Sequence, residues 1–170
     1  MNTLLLSALT ALVPLMLGFV WYNPRVFGKA WIASAGLDEE KMKGANMPLI
    51  FGFVYLFAFM VALFMPHVVI HQSGLHSLVG GDPNSITDPA LRAAYDMVVQ
   101  GTLHNFRTFK HGAFHGTIMG VFAAIPLVGT AALFEGRGFR YIAINAGYWI
   151  VCLAIMGAII CHFMPYHPAM

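Results

Sequence analysis

The spacing of the histidines is the feature of this chain that points most directly to a chemical function. His67 and His71 stand four residues apart, and His111 and His115 repeat that spacing. Residues four apart share one face of a helix, so each pair could hold an ion jointly. Imidazole is a common ligand of zinc and copper and normally titrates near neutral pH. Two such pairs on neighbouring helices predict a tetrahedral Zn or Cu site, or an axial pair for haem.

The remaining candidate ligands lie near the same ends of the apolar segments. His104 precedes His111 by seven residues and would extend its stripe if one helix ran through both. His162 ends the last apolar segment beside Cys161, and Asp96 could add a carboxylate from the loop. Proton sensing by these imidazoles and ordinary packing at the membrane interface are the alternatives. The predicted metal ligands are His67, His71, His104, His111, His115 and His162.

The composition indicates an integral membrane protein. Hydrophobic residues make up 59 % and charged residues 9 % of the 170 positions, whereas soluble domains contain roughly 25 % charged residues. Four apolar segments, about residues 4–22, 48–70, 111–134 and 141–164, are each long enough to cross a bilayer. We therefore predict an all-α fold, in which a single domain over residues 1–170 forms a four-transmembrane-helix bundle. The lipid bilayer is the expected partner, and the net charge of +2 argues against nucleic acid.

Helices are also predicted between the spans. Residues 25–45 mix apolar with basic side chains, which predicts an interfacial helix ending at Gly36, with Asp38 as the cap of another. Asp88 and Pro89 are typical of a helix start, in the large loop between the second and third spans. Helical spacing predicts that this loop helix is amphipathic. Its apolar residues would be Leu91, Tyr95, Val98, Leu103, Phe106 and Phe109.

Small residues predict how the third and fourth spans pack. Gly112, Gly116 and Gly120 form a stripe along the third span. Such stripes let helix backbones approach closely within a membrane. We predict that Ala143 and Gly147 of the fourth span supply the opposing groove.

Two polar residues near the other membrane face need partners. Asn145 lies one turn into the fourth span, where an unpaired amide is costly. Its predicted partners are Trp21, Tyr22 and Asn23. Glu135 ends the third span, where the helix dipole disfavours an anion. Its predicted partners are Arg25, Lys29 and Arg140.

Basic residues predict the orientation. The first and third loops hold six of them, and the second loop and termini hold three, namely Arg92, Arg107 and Lys110. Because cytoplasmic loops are enriched in Lys and Arg, the first and third loops are predicted to face the cytoplasm. Both termini and the histidines would then lie outside the cell (inner) membrane.

Two sequence signatures resemble a known family. Gly18–Pro24 followed by Phe27–Trp31 resembles the opening of the bacterial membrane family called domain of unknown function 1761. Phe134–Arg137, Ile144–Trp149 and Met156–Ala158 are similar to its closing signature. The resemblance spans nearly the whole chain and implies a small four-span membrane protein. It implies no activity and no catalytic residues.

The sequence contains no recognisable catalytic motif. It has no phosphate-binding glycine loop, nucleophile elbow or zinc-protease motif. We therefore expect a protein that is not an enzyme. Three functions remain: metal binding for sensing, sequestration or transport; a structural or accessory role in a homo-oligomer or larger membrane complex; and haem-based redox chemistry with histidines of the second and third spans.

Overall fold

A computed structural model describes residues 2–37 and 44–165 of the chain. Every regular element in those residues is helical, and four segments are long and apolar enough to span a membrane. The predicted all-α membrane fold is therefore confirmed. The candidate cap Asp38 lies outside the described residues. The first to fourth spans are Thr3–Trp21, Met47–Val69, Phe109–Phe134 and Phe139–Phe163.

Two spans are interrupted just before a proline. The first consists of helices Thr3–Thr10 and Leu12–Trp21, and Pro14 lies in the first turn of the second part. The third consists of helices Phe109–Met119 and Ile125–Phe134, joined by the π-helical turn Gly120–Ala124 ahead of Pro126. Proline lacks an N–H donor and crowds the carbonyl four residues earlier, so the helix is disturbed at these points.

The fourth span lies at the centre of the bundle and contacts each of the other three. Half of its most apolar stretch is buried, compared with 11 % for the second span. Its residues Met156 and Ile160 pack with Leu6 of the first span and Met65 of the second. Side chains on the outer side of the second span, such as Phe57, are exposed and available to lipid.

The glycine stripe packs against the fourth span within the same chain. A Cβ atom built on Gly112 would overlap the carbonyl of Gly157, and one on Gly116 would overlap that of Leu153. A Cβ atom on Gly120 would lie 2.7 Å from Cα of Ile150. The absence of side chains at these glycines therefore permits direct backbone contact.

The predicted opposing groove was wrong. A Cβ atom built on Gly147 would lie 3.4 Å from the indole ring of Trp21, so this glycine faces the first span. Ala143 is exposed. Both residues lie too close to the turn between the third and fourth spans to reach the depth of the glycine stripe.

Shorter helices occupy the connections. Gly28–Ala35 follows the first span and ends at Gly36, whose φ of 58° is left-handed. Gln72–Leu78 follows the second span, and a 3-10 turn, Pro83–Ser85, precedes the loop helix Pro89–Thr102.

The loop helix ends at Thr102, so three residues of its predicted apolar set lie beyond it, namely Leu103, Phe106 and Phe109. Tyr95 and Val99 are its buried hydrophobic residues, whereas Leu91 and Val98 are exposed. The Tyr95 hydroxyl lies 2.8 Å from Nδ1 of His76. The loop helix therefore packs on helix Gln72–Leu78 through Tyr95, a member of the predicted apolar set.

Gly116→Ala should destabilise the bundle by about 1–3 kcal/mol, because its methyl group would overlap the Leu153 carbonyl. The measurement is the unfolding midpoint in detergent. Gly52→Ala on the second span is the matched control, since nothing lies within 4 Å of a Cβ atom there. Equal destabilisation by both changes would contradict the close approach of the two spans.

Candidate metal centre

Three of the predicted ligands meet at one point. The ring centroids of His71 and His111 are 4.8 Å apart, those of His71 and His115 are 5.0 Å apart, and those of His111 and His115 are 4.4 Å apart. One ring nitrogen from each lies within 4.8 Å of the other two. We call these three residues the histidine cluster.

The start of the third span positions two members of the cluster. The Thr108 hydroxyl accepts a hydrogen bond of 3.2 Å from the backbone N–H of His111, which caps the helix. His111 and His115 follow on adjacent turns, and each is succeeded by a glycine that contacts the fourth span. The glycine contacts fix the rotation of the helix, and with it the direction of both imidazoles.

A break in the chain positions the third member. The second span ends at Val69, because Ile70 adopts an extended backbone with φ −116° and ψ 104°. The Ser73 hydroxyl donates a 2.6 Å hydrogen bond to the Ile70 carbonyl and stabilises this turn. His71 therefore leaves the axis of the second span and reaches the third. His67 stays on the second span, so the predicted shared face of His67 and His71 was wrong.

Hydrogen bonds hold the segment after the loop helix beside the cluster. Nε2 of Gln72 donates hydrogen bonds to the carbonyls of Thr102 at 2.6 Å and of Asn105 at 3.1 Å. Sγ of Cys161 lies 3.3 Å from the Phe106 carbonyl. Gln72 was not among the predicted site residues, although an amide beside a candidate ligand in an apolar region indicates a buried hydrogen-bonding role.

Phe106 covers one side of the cluster. Its ring centroid lies 5.6 Å from that of His71 and 5.2 Å from that of His111. Its φ of 61° is left-handed, which is uncommon for a bulky residue and costs energy. No sequence signal predicts such a backbone at phenylalanine, so Phe106 was predicted only as an apolar residue of the loop helix and not as part of the site.

The other predicted ligands lie outside the cluster. His67 lines a separate cavity. The loop helix ends at Thr102 and a new helix begins at Phe109, so His104 does not extend the stripe of His111. His162 is stacked on Phe109 with ring centroids 4.0 Å apart.

Two further groups considered as ligands have other partners. Asp96 forms an ion pair of 2.9 Å with Arg92 on the loop helix. Sγ of Cys161 is directed to backbone carbonyls, including that of Val69 at 3.4 Å. No carboxylate or thiol belongs to the cluster among the described residues.

The chemistry of the cluster fits a cation. His71 is exposed, and His111 and His115 are half-buried. Nε2 of His111 is buried and has no hydrogen-bond partner within the described part of the chain. A buried nitrogen without a partner is costly, and coordination of a metal would satisfy it.

A polar layer at the opposite end joins the first and fourth spans. The Tyr22 hydroxyl donates to Oδ1 of Asn145 at 2.9 Å, and Trp21 Nε1 donates to the Ile144 carbonyl at 3.1 Å. Nδ2 of Asn145 donates to the Tyr141 carbonyl. The amide of Asn145 is thus paired on both sides.

The predicted partners of Glu135 were wrong. Its carboxylate lies 3.7 Å from Nε of Arg137, two residues along the chain. The tight turn between the third and fourth spans brings these two side chains together. Arg25, Lys29 and Arg140 form no ion pair with Glu135 in the described structure.

Four residues of this polar layer belong to the two signatures seen in the sequence, namely Trp21, Tyr22, Ile144 and Asn145. A family profile described as "Protein of unknown function (DUF1761)" matches residues 5–161. The chain belongs to the DUF1761 family. No curated protein and no solved structure matches it. The DUF1761 match includes the histidine cluster, and the family description assigns no activity to it.

Gln72→Leu should release the segment that follows the loop helix, because two backbone carbonyls lose their donor. We expect a stability loss of about 1–3 kcal/mol and faster amide hydrogen exchange in residues 102–108. Gln100→Leu, at an exposed position of the loop helix, is the control. Unchanged exchange in the Gln72 variant would show that the segment is held in another way.

Proposed function

We propose that this DUF1761 protein binds a transition metal, zinc or copper, through His71, His111 and His115. The observation that carries the proposal is the convergence of one nitrogen from each residue within 4.8 Å. Tetrahedral coordination with bonds of about 2.0–2.1 Å requires nitrogens roughly 3.3 Å apart. Small side-chain rotations can close this difference.

The number of ligands favours a site with an open coordination position over a closed structural zinc site. Structural zinc sites have four protein ligands, whereas sites with three keep a position for water or another ligand. The open position would let the ion pass to or from another ligand. We infer that the cluster serves sensing, sequestration or transport of the ion.

The proposed orientation places the cluster outside the cytoplasm. Six basic residues in the first and third loops, against three elsewhere, support this orientation. The protein would then sit in the cell (inner) membrane with both termini outside, and it would take its ion from the external side.

Haem is not favoured by the geometry. A haem held by two histidines lies between their rings. In the cluster, the three rings contact one another directly, with centroids 4.4 to 5.0 Å apart. A macrocycle would therefore have to separate side chains that are now packed together.

Metal titration of the chelator-treated protein tests the proposal. We expect about one Zn²⁺ or Cu²⁺ ion per chain by calorimetry and elemental analysis, and a tetrahedral absorption spectrum with Co²⁺. His111→Ala combined with His115→Ala should weaken binding by about 100-fold or more, because two ligands are lost. The matched control is His104→Ala combined with His162→Ala, which removes two exposed imidazoles outside the cluster.

The same titration can refute metal binding. Absence of binding in the parent protein, or equal affinity in the cluster variant, would do so. A structural or accessory role would then be the better hypothesis.

Cysteine labelling tests the orientation. Cys152 and Cys161 are fully buried, so the unaltered chain provides a low background. Ser77→Cys in the second loop should react with a membrane-impermeant maleimide in intact cells. Gly138→Cys in the third loop should react only after permeabilisation. The reverse pattern would place the cluster on the cytoplasmic side.

A further inference from the structure

A cavity of about 370 Å³ lies next to the histidine cluster and is separate from it. Its volume falls within the range of small-molecule sites, about 300–1,000 Å³. Most of the lining is apolar, and the polar groups in it include two histidines and one arginine. Its lining residues include Leu63, His67, Ile70, His76, Arg107 and Met164.

Arg107 brings a positive charge to this cavity. Its Nε donates a 2.9 Å hydrogen bond to the Cys161 carbonyl, and Nη2 donates to the Met164 carbonyl. These carbonyls end the fourth span, and their partial negative charge holds the guanidinium in place. Burial lowers the pKa of Arg107, but a guanidinium remains charged in proteins.

No carboxylate balances that charge in the described structure. The ion pairs there join Arg92 to Asp96 and Arg137 to Glu135. The residues that line the cavity include no Asp or Glu. A partly buried cation without a counter-ion favours an anionic ligand.

The two histidines of the cavity differ in their partners. His76 is engaged with the hydroxyl of Tyr95, and burial lowers its pKa, so its ring is neutral. His67 is exposed on the last turn of the second span and can offer an N–H group. Arg107 and His67 are thus the groups suited to bind an anion.

The apolar part of the cavity continues toward the lipid. Leu63 lines it and is 39 % exposed on the outer surface of the second span. Ile70 and Met164 complete an apolar lining beside the charge. A ligand for this cavity should therefore combine an anionic group with a hydrocarbon chain.

We propose that this cavity binds an anionic phospholipid from the surrounding leaflet. Arg107 and His67 contact its phosphate, and Leu63 and Ile70 contact the beginning of an acyl chain. This assigns a role to His67, which the histidine cluster does not use. The proposal does not depend on metal binding.

Native mass spectrometry of the full chain in a neutral detergent tests lipid binding. Phosphatidylglycerol should bind more tightly than phosphatidylcholine, and inorganic phosphate should not displace it. Arg107→Gln should weaken phosphatidylglycerol binding by about tenfold, the value expected for a lost charge-assisted hydrogen bond. Arg92→Gln is the matched control, because Arg92 is paired with Asp96 outside the cavity.

Arg107 also contacts the end of the fourth span, so its replacement could weaken lipid binding through misfolding. A second variant, which does not alter this contact, separates the two explanations. His67→Ala alters an exposed residue and should weaken the lipid severalfold, whereas His162→Ala should leave it unchanged. Both variants should keep the thermal stability of the parent. They should also keep its metal affinity, which separates this test from that of the cluster.

Three results would overturn the lipid proposal. One is equal affinity for phosphatidylglycerol and phosphatidylcholine. Another is full affinity in both Arg107→Gln and His67→Ala. The third is displacement of the lipid by inorganic phosphate at comparable concentration, which would identify a site for free anions.

Discussion

Direct backbone contact between the third and fourth spans is the constraint on which the rest of the structure depends. The lipid offers no hydrophobic force to bring helices together, so close packing must stabilise the bundle. Gly112 and Gly116 permit that packing against Gly157 and Leu153. The same glycines alternate with His111 and His115, so one set of contacts sets both the stability of the bundle and the placement of its imidazoles.

The four spans, their approximate bounds and the pairing of His111 with His115 could be predicted from the sequence, because apolar length and helical spacing depend on local sequence. The end of the second span could not. Val68 and Val69 continue the apolar run, and the Val69 carbonyl at the break lies 3.4 Å from Sγ of Cys161, which is distant in the sequence. That break decides that His71 belongs to the cluster and His67 does not.

The error about the glycine groove has a different cause. Small residues are common along the fourth span, so composition alone does not identify the partner of the stripe. The position of the tight turn near Gly136 does identify the partner. Residues of the third and fourth spans that are equally far from this turn along the chain lie at the same depth in the membrane. Gly112 and Cys161 satisfy this condition and are neighbours, whereas Gly147 lies much closer to the turn. The length of the loop therefore predicts which residues of the two spans face each other, whereas the residue types do not.

The three imidazoles come from two stretches of chain separated by the whole large loop. An ion held among them would act as a crosslink between the end of the second span and the start of the third. Loading and unloading would then change how firmly that loop is anchored. Another molecule at the membrane surface could then respond to the occupancy of the histidine cluster through this loop. No conformational change across the bilayer would be required.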